Sequence, residues 1–203
     1  MPKIWIILFL LMCFALHSQN GPKWLRLGVT LSSDYNISSQ NIELGNYMGY
    51  TASYDRTNYS LGLQAEKFLT TDMSVNLGLQ FSQKNFTGTF YCAVCDWAMP
   101  PNPETIRMQF LEIPIGVRKY FLPGKWKLFA DVGLLNQIAL KNDLETNSYL
   151  LSANVGGGTE YKIGTRWSLQ LKAFYNRALT NTFEGSGHKM QFLAFGMGIM
   201  TSL

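Results

Sequence analysis

Charge is scarce in this sequence. Only 15% of its 203 residues are Asp, Glu, Lys or Arg, where soluble domains carry about 25%. Histidine occurs twice and cysteine three times, which leaves little from which to build a metal cluster. One long apolar run is present, and the mean hydropathy of −0.01 is far too low for a bundle of membrane helices. The formal charge of +4 is small and spread along the chain, which excludes a nucleic-acid binder of the usual kind. Disorder is excluded from the other side, because 47% hydrophobic residues is too apolar a composition to stay unfolded. What the chain does have is 18 glycines and 14% aromatics, in a length that suits one domain or two small ones.

The apolar run is at the N-terminus. Lys3 precedes thirteen apolar residues, Ile4 to Leu16, and a small residue follows at Ser18. This predicts a secretory signal peptide over residues 1–18, cut near Ser18–Gln19, and a mature domain over 19–203. Thirteen residues fall short of the roughly 17–25 a spanning helix needs. Cys13 follows Met12, so no lipobox is present. Cleavage leaves 16 basic and 13 acidic residues, a net charge of +3.

Cys92 and Cys95 remain in the exported chain, an even count that predicts a disulfide. Free thiols and half of a zinc site are the alternatives. The zinc reading lacks two ligands, since His188 is the mature chain's one histidine.

From Leu25 onward the chain alternates. Tyr59, Leu61, Leu63 and Ala65 are separated by Ser60, Gly62 and Gln64. Met73 to Phe81, Trp126 to Leu134, Leu151 to Tyr161 and Trp167 to Tyr175 repeat the pattern. With Leu25–Tyr35, Ile106–Tyr120 and Met190–Thr201 this makes eight candidate strands of period two. They are long, and the connections alternate. Thr70–Asp72, Leu122–Lys125 and Gly164–Thr165 are short. Ser38–Asn58, Thr87–Thr105, Lys141–Ser148 and Thr180–Gly187 are longer. Long strands with short turns on one rim and long loops on the other predict an all-β, eight-stranded antiparallel transmembrane β-barrel with short periplasmic turns.

Aromatics mark the strand ends. Trp24, Tyr120, Phe121, Trp126, Tyr161 and Trp167 fall at the short-turn ends, and Tyr35, Tyr59, Tyr149 and Tyr175 at the long-loop ends. Two such sets read as the girdles of a barrel in lipid. A secreted lipocalin-type barrel is the rival, but its water-facing surface would carry more charge. The polar face here is Gly, Ser, Asn and Gln, with a balanced set of predicted interior charges: Glu66, Glu112, Asp131 and Glu160 against Arg26, Arg118, Lys162 and Lys172. Some places resist. Apolar parity slips near Phe110–Leu111, which predicts a bulge there. Phe68 has the wrong parity for the girdle. Pro114 lies mid-strand, and the last strand is apolar on both faces, with Phe195 on its proposed outer one.

The segment Phe110-Leu111-Glu112-Ile113-Pro114-Ile115-Gly116-Val117-Arg118-Lys119-Tyr120-Phe121 resembles the PorT-like outer-membrane β-barrel family of Bacteroidetes. Members tend to carry a similar Leu-Glu-Ile-Pro segment before a basic-aromatic strand end. The resemblance implies an eight-stranded outer-membrane barrel, and for some members an accessory role in type IX secretion. The ending Thr201-Ser202-Leu203 departs from the terminal aromatic of many such barrels.

Eight strands leave an interior just wide enough for side chains. The expectation is therefore a closed, monomeric, non-enzymatic barrel in the cell outer membrane. It would act through its loops or as an accessory component of a surface or secretion complex. Its partners would be outer-membrane lipid and proteins of such a complex, with no nucleic acid and no cofactor. Tyr47, Tyr50 and Tyr54 in one loop, and Trp97 and Met99 in the other, are the candidate partner contacts. A small porin or ligand carrier is the alternative. An outer-leaflet lipid A-modifying enzyme is a further one, with His188, Ser186 and either Asp143 or Glu184 as its available catalytic set.

Overall fold

The computed structural model describes residues 25–45, 47–95, 102–122 and 124–203. The expected signal peptide over 1–18, Trp24, Trp97 and Met99 lie outside the described residues. Among the described residues there are twelve strands and no helix long and apolar enough to cross a membrane.

Eight strands close an antiparallel barrel. They are β1 (Leu25–Asn36), β4 (Asn58–Phe68), β5 (Met73–Gln83), β8 (Met108–Tyr120), β9 (Trp126–Asn142), β10 (Tyr149–Ile163), β11 (Trp167–Ala178) and β12 (Gln191–Ser202), in the spatial order β1-β12-β11-β10-β9-β8-β5-β4. Closure leaves these strands no free edge. The predicted pleat holds around the wall. Leu63 and Val132 are each 63% exposed on the outside, while their even-numbered or odd-numbered inner neighbours Gln64 and Asp131 are buried. The register of β12, open in the sequence, places Leu193, Phe195, Met197 and Ile199 outward and Phe192, Ala194 and Met200 inward. The turn between β10 and β11 is tight because Gly164 takes a φ of +68°, a left-handed conformation that costs other residues about 1 kcal/mol.

Two of the four long connections are not loops. Within Ser38–Asn58 lie β2 (Asn41–Glu43) and β3 (Met48–Ser53). Within Thr87–Thr105 lie most of β6 (Phe86–Cys92) and of β7 (Glu104–Ile106). They pair as a second, four-stranded antiparallel sheet, β2-β3-β6-β7. The reason is continuity. β5 runs into β6, and β7 into β8, so the β5–β8 hairpin rises past the barrel rim and recruits β3. Asn58 and Asn85 pin the departure point. Asn58 Nδ2 donates to Asn85 O at 3.0 Å, and Asn85 Oδ1 accepts from Met108 N–H at 3.0 Å.

The irregularity expected near Phe110–Leu111 is present, with its extra residue on β9. Parity in β8 never slips, and Phe110 points inward like Met108 and Glu112. The register shift lies between Gln109 and Phe110, where Leu140 of β9 is left without a partner. Phe110 reads as out of phase in sequence because the lumen itself turns apolar at that level. Pro114 is tolerated without a shift. The β5–β8 pairing skips Gly78 and Leu79 and resumes in register. Gly78 makes the room, since a Cβ there would meet Pro114 Cγ at 2.7 Å.

Candidate functional site

Three layers fill the lumen. Nearest the short turns is an ionic network on five strands. Arg26 of β1 donates from Nη1 to Glu160 Oε1 at 2.7 Å and from Nη2 to Glu66. Arg118 of β8 grips Asp131 of β9 with Nε and Nη2 at 2.7 and 2.8 Å. Its Nη1 stands 3.8 Å from Glu66, which links the two arginines. Planar guanidinium forks suit such paired carboxylates. Ser74 donates to Glu66 at 2.5 Å and Gln170 Nε2 to Glu160 at 2.9 Å, so spare lone pairs are used. Arg118, Glu66 and Glu160 are wholly buried. Buried charge is tolerable only when paired and hydrogen-bonded in this way.

Tyr120 belongs to this layer and corrects its expected place in the girdle. It is 4% exposed and points inward. Its hydroxyl accepts from Arg26 at 2.6 Å and donates to Glu66 at 2.9 Å. Its ring stacks on Phe68, which explains the parity of that residue. Lys162 is corrected the other way. Its parity is inward, but it sits at the strand end and is exposed, so it leaves the network for the rim.

Above lies a chamber of about 80 Å³ lined in part by Gln64, Asn76, Asn154 and Lys172. It has room for a few waters and is small beside the roughly 300–1,000 Å³ of ordinary ligand pockets. Lys172 Nζ donates to Gln64 Oε1 at 2.8 Å. Among the described residues it has no carboxylate partner, unlike the other inward cations Arg26, Arg118 and Lys84.

A second ionic cluster roofs the chamber. Lys84 bonds Asp34 and stands 3.6 Å from Glu112. Glu112 also accepts from Gln80 and Ser82 at 2.7 Å and from Gln137 at 2.8 Å. Asp34 and Lys84 escaped the sequence reading, though the signal was there. Both continue the inward even parity, Asp34 inside the expected strand Leu25–Tyr35 and Lys84 just past the alternation that ends at Phe81.

The top layer is apolar. Phe110, Met108, Leu150 and Phe192 from the barrel meet Ile42, Ala52, Phe86 and Ile106 from the second sheet, with Phe183 and Met190 from the β11–β12 connection. The sheet therefore caps the mouth. Tyr50 and Tyr54 are clasps of this cap, not free contacts. The Tyr50 hydroxyl donates to Glu104 at 2.8 Å, and that of Tyr54 to Ser39 O at 2.9 Å. Burial, with the carboxylate in the case of Tyr50, pushes both phenols up to about 12. Tyr47 is 59% exposed at the β2–β3 tip. Cys92 and Cys95 are joined as a disulfide beyond the end of β6, with Cα atoms 5.4 Å apart.

The rim histidine does not assemble a catalytic set. His188 Nε2 faces Ser39 O at 3.3 Å and the Tyr54 hydroxyl at 3.4 Å. Ser186 Oγ accepts from the His188 backbone N–H, not from its ring. Asp143 accepts from Arg107 N–H at 2.8 Å. Burial lowers the affinity of His188 for a proton.

Of the expected girdle, Tyr35, Tyr59, Phe121, Trp126, Tyr149 and Trp167 are exposed on the outer wall. Tyr161 packs against Trp126 at a tilt of 46° with centroids 4.8 Å apart, and the Tyr175 hydroxyl bonds Gln191.

Known proteins agree with this architecture. The family model for the outer membrane protein beta-barrel domain matches residues 17–184. No curated protein matches the sequence. Among solved structures, Neisserial surface protein A has a TM-score of 0.58 at 12% identity, covering 91% of this chain and 100% of its own. OprG of Pseudomonas aeruginosa has 0.54 at 13%, covering 88% and 96%. Outer Membrane Protein W of E. coli has 0.51 at 12%, covering 91% and 100%. At such identities the likeness is one of fold.

Proposed function

The chain belongs to the outer membrane protein β-barrel domain family and resides in the outer membrane, and from that premise we propose a closed barrel that acts without catalysis, through the capped surface it presents outside the cell. One observation carries this reading: the lumen is blocked at successive levels, by the Arg26–Glu66–Arg118 network, by Lys84 with Asp34 and Glu112, and by the apolar cap. A conducting path has to break buried ion pairs and empty an apolar core. With the lumen closed, the capping sheet and its disulfide are what the protein offers a partner. The exposed Tyr47 stands at that sheet's tip. Planar-bilayer recording tests closure. The expected trace is silent, and a stable large conductance from pure protein overturns the reading in favour of a porin.

The accessory role in secretion that the Phe110–Phe121 resemblance implies is a narrower proposal within this one. Affinity purification from native outer membrane tests it. Co-purifying secretion components support it, and their reproducible absence refutes it.

A further inference from the structure

The two rims of the barrel carry different charge. On the long-loop side carboxylates and bases are about equal: Glu43, Asp55, Glu104, Asp143, Glu145 and Glu184 stand among five Arg and Lys residues. On the short-turn rim Lys67, Lys119, Lys125, Lys162 and Arg166 stand, among the described residues, against one side-chain carboxylate, that of Asp72, which Lys119 engages. Among the described residues no carboxylate pairs with Lys125, Lys162 or Arg166, and all three are exposed. Two neighbouring turns bring them together. Lys162 N–H donates to Lys125 O at 2.9 Å, which joins the β8–β9 turn to the end of β10. Arg166 O accepts from Ser202 N–H at 2.9 Å, which ties the β10–β11 turn to β12. Beside them on the outer wall lie Trp126, packed at a tilt against Tyr161, and Trp167. Such rings sit at headgroup depth in a bilayer. The cations beside them are therefore held at the level of lipid phosphates, not in bulk water.

We propose that Lys125, Lys162 and Arg166 form a binding site for the phosphate headgroup of an anionic glycerophospholipid in the periplasmic leaflet, flanked by Trp126 and Trp167. Short turns face the periplasm in barrels of this kind, and the aromatic wall continues directly into the cluster, so a lipid is the ligand already adjacent to it. Cationic groups near a membrane surface each contribute about 1 kcal/mol toward anionic lipid, and salt screens that attraction.

Tryptophan emission reads the site directly. In the full chain with Trp5, Trp24 and Trp97 changed to Phe, Trp126 and Trp167 are the emitters. The protein is refolded into phosphatidylcholine vesicles doped with brominated phosphatidylglycerol, or with brominated phosphatidylcholine as reference. Association of the anionic quencher is expected to exceed the reference at least fivefold at low salt, about the factor for one such cation, and to approach it at ~1 M salt. The Lys125→Gln/Lys162→Gln/Arg166→Gln variant is expected to lose the preference while still migrating as a folded barrel. Lys125→Arg/Lys162→Arg is expected to keep it. Equal quenching by both lipids in the parent protein overturns the proposal. Displacement of the brominated lipid by inorganic phosphate, or by an oligo-aspartate peptide, overturns it too, by assigning the cluster to a free anion or to an acidic protein partner.

Discussion

Toward the short turns the lumen is filled with Arg26, Glu66, Arg118, Asp131 and Glu160; toward the long loops it is filled with Phe110, Met108, Leu150 and Phe192. Both fillings obstruct the lumen, but they do so by different physics. The charged half is held by directional pairs whose members sit on different strands: Arg26 on β1 reaches β4 and β10, and Arg118 on β8 reaches β9. It fixes which strands meet and in which register. The apolar half is held by area and shape, and its partners come from strands outside the barrel. One half locks the wall, and the other attaches the cap.

The sharpest way to break this contrast is to remove one member of the charged half. Arg118→Met leaves Asp131 buried without its cation and Glu66 with Arg26 alone, and a broken buried pair costs about 3–5 kcal/mol. Urea unfolding of the vesicle-inserted barrel measures it. Arg118→Met combined with Asp131→Leu is expected to recover much of the loss, because a buried pair replaced by apolar groups is often neutral. If the double variant is as unstable as the single, the cost lies in packing and the contrast between the halves is wrong.

In the apolar half, Phe110→Ala is expected to cost about 3 kcal/mol, near the low end for a buried Phe, because cap strands can settle into the space. The loss should be local. Hydrogen exchange at β2, β3, β6 and β7 should quicken while the Arg26 and Arg118 strands stay protected. Uniform loss of protection would merge the two halves into one cooperative unit.

Legibility followed the same division. The wall was readable because period two survives wherever lipid faces one side, and Leu63 or Val132 shows it. The ionic set was largely readable for the same reason. Tyr120 was misplaced where strand-end position was allowed to outrank parity, and Lys162 where parity was applied beyond the depth at which the lumen stays closed. Asp34 was missed inside the expected strand Leu25–Tyr35 and Lys84 just beyond the alternation ending at Phe81, although both have the inward parity. The cap was the least legible part. Once Phe110 and Phe192 face an apolar interior, both faces of a strand are hydrophobic and alternation carries no signal. The second sheet is also built of three- to seven-residue strands, whose pairing is set by long-range partners that no local window contains.

The cap also has one titratable seam. His188 is buried against Ser39 O, the Tyr54 hydroxyl and the Phe183 ring, and it lines a groove with the charged residues Glu43, Arg177 and Lys189. Burial lowers its folded pKa, so an opened cap binds the proton better than a closed one. By linkage, cap stability is intact above the ordinary histidine value of about 6.5 and declines as pH falls through it. Exchange at residues 38–40 should therefore quicken at acidic pH, and His188→Gln should flatten that dependence while the barrel strands stay unaffected. An unchanged profile in His188→Gln assigns the pH response elsewhere.

Arg118 and Lys119 make the smallest prediction the most discriminating. They are neighbours on β8, one turned into the lumen and one outward, and each engages an aspartate. Lys119 holds the Asp72 carboxyl below its usual range, with Thr70 assisting. By sign, any stability from this pair is present above the ordinary carboxylate pKa and lost below it. Yet nearly half of each side chain is in solvent, where screening and side-chain entropy consume most of the attraction. Lys119→Ala is thus expected to leave the urea midpoint unmoved at neutral and acidic pH, one residue from a substitution expected to be among the most damaging in the barrel. A loss in Lys119→Ala comparable to that in Arg118→Met would mean that burial in the lumen is not what gives the charged half its strength.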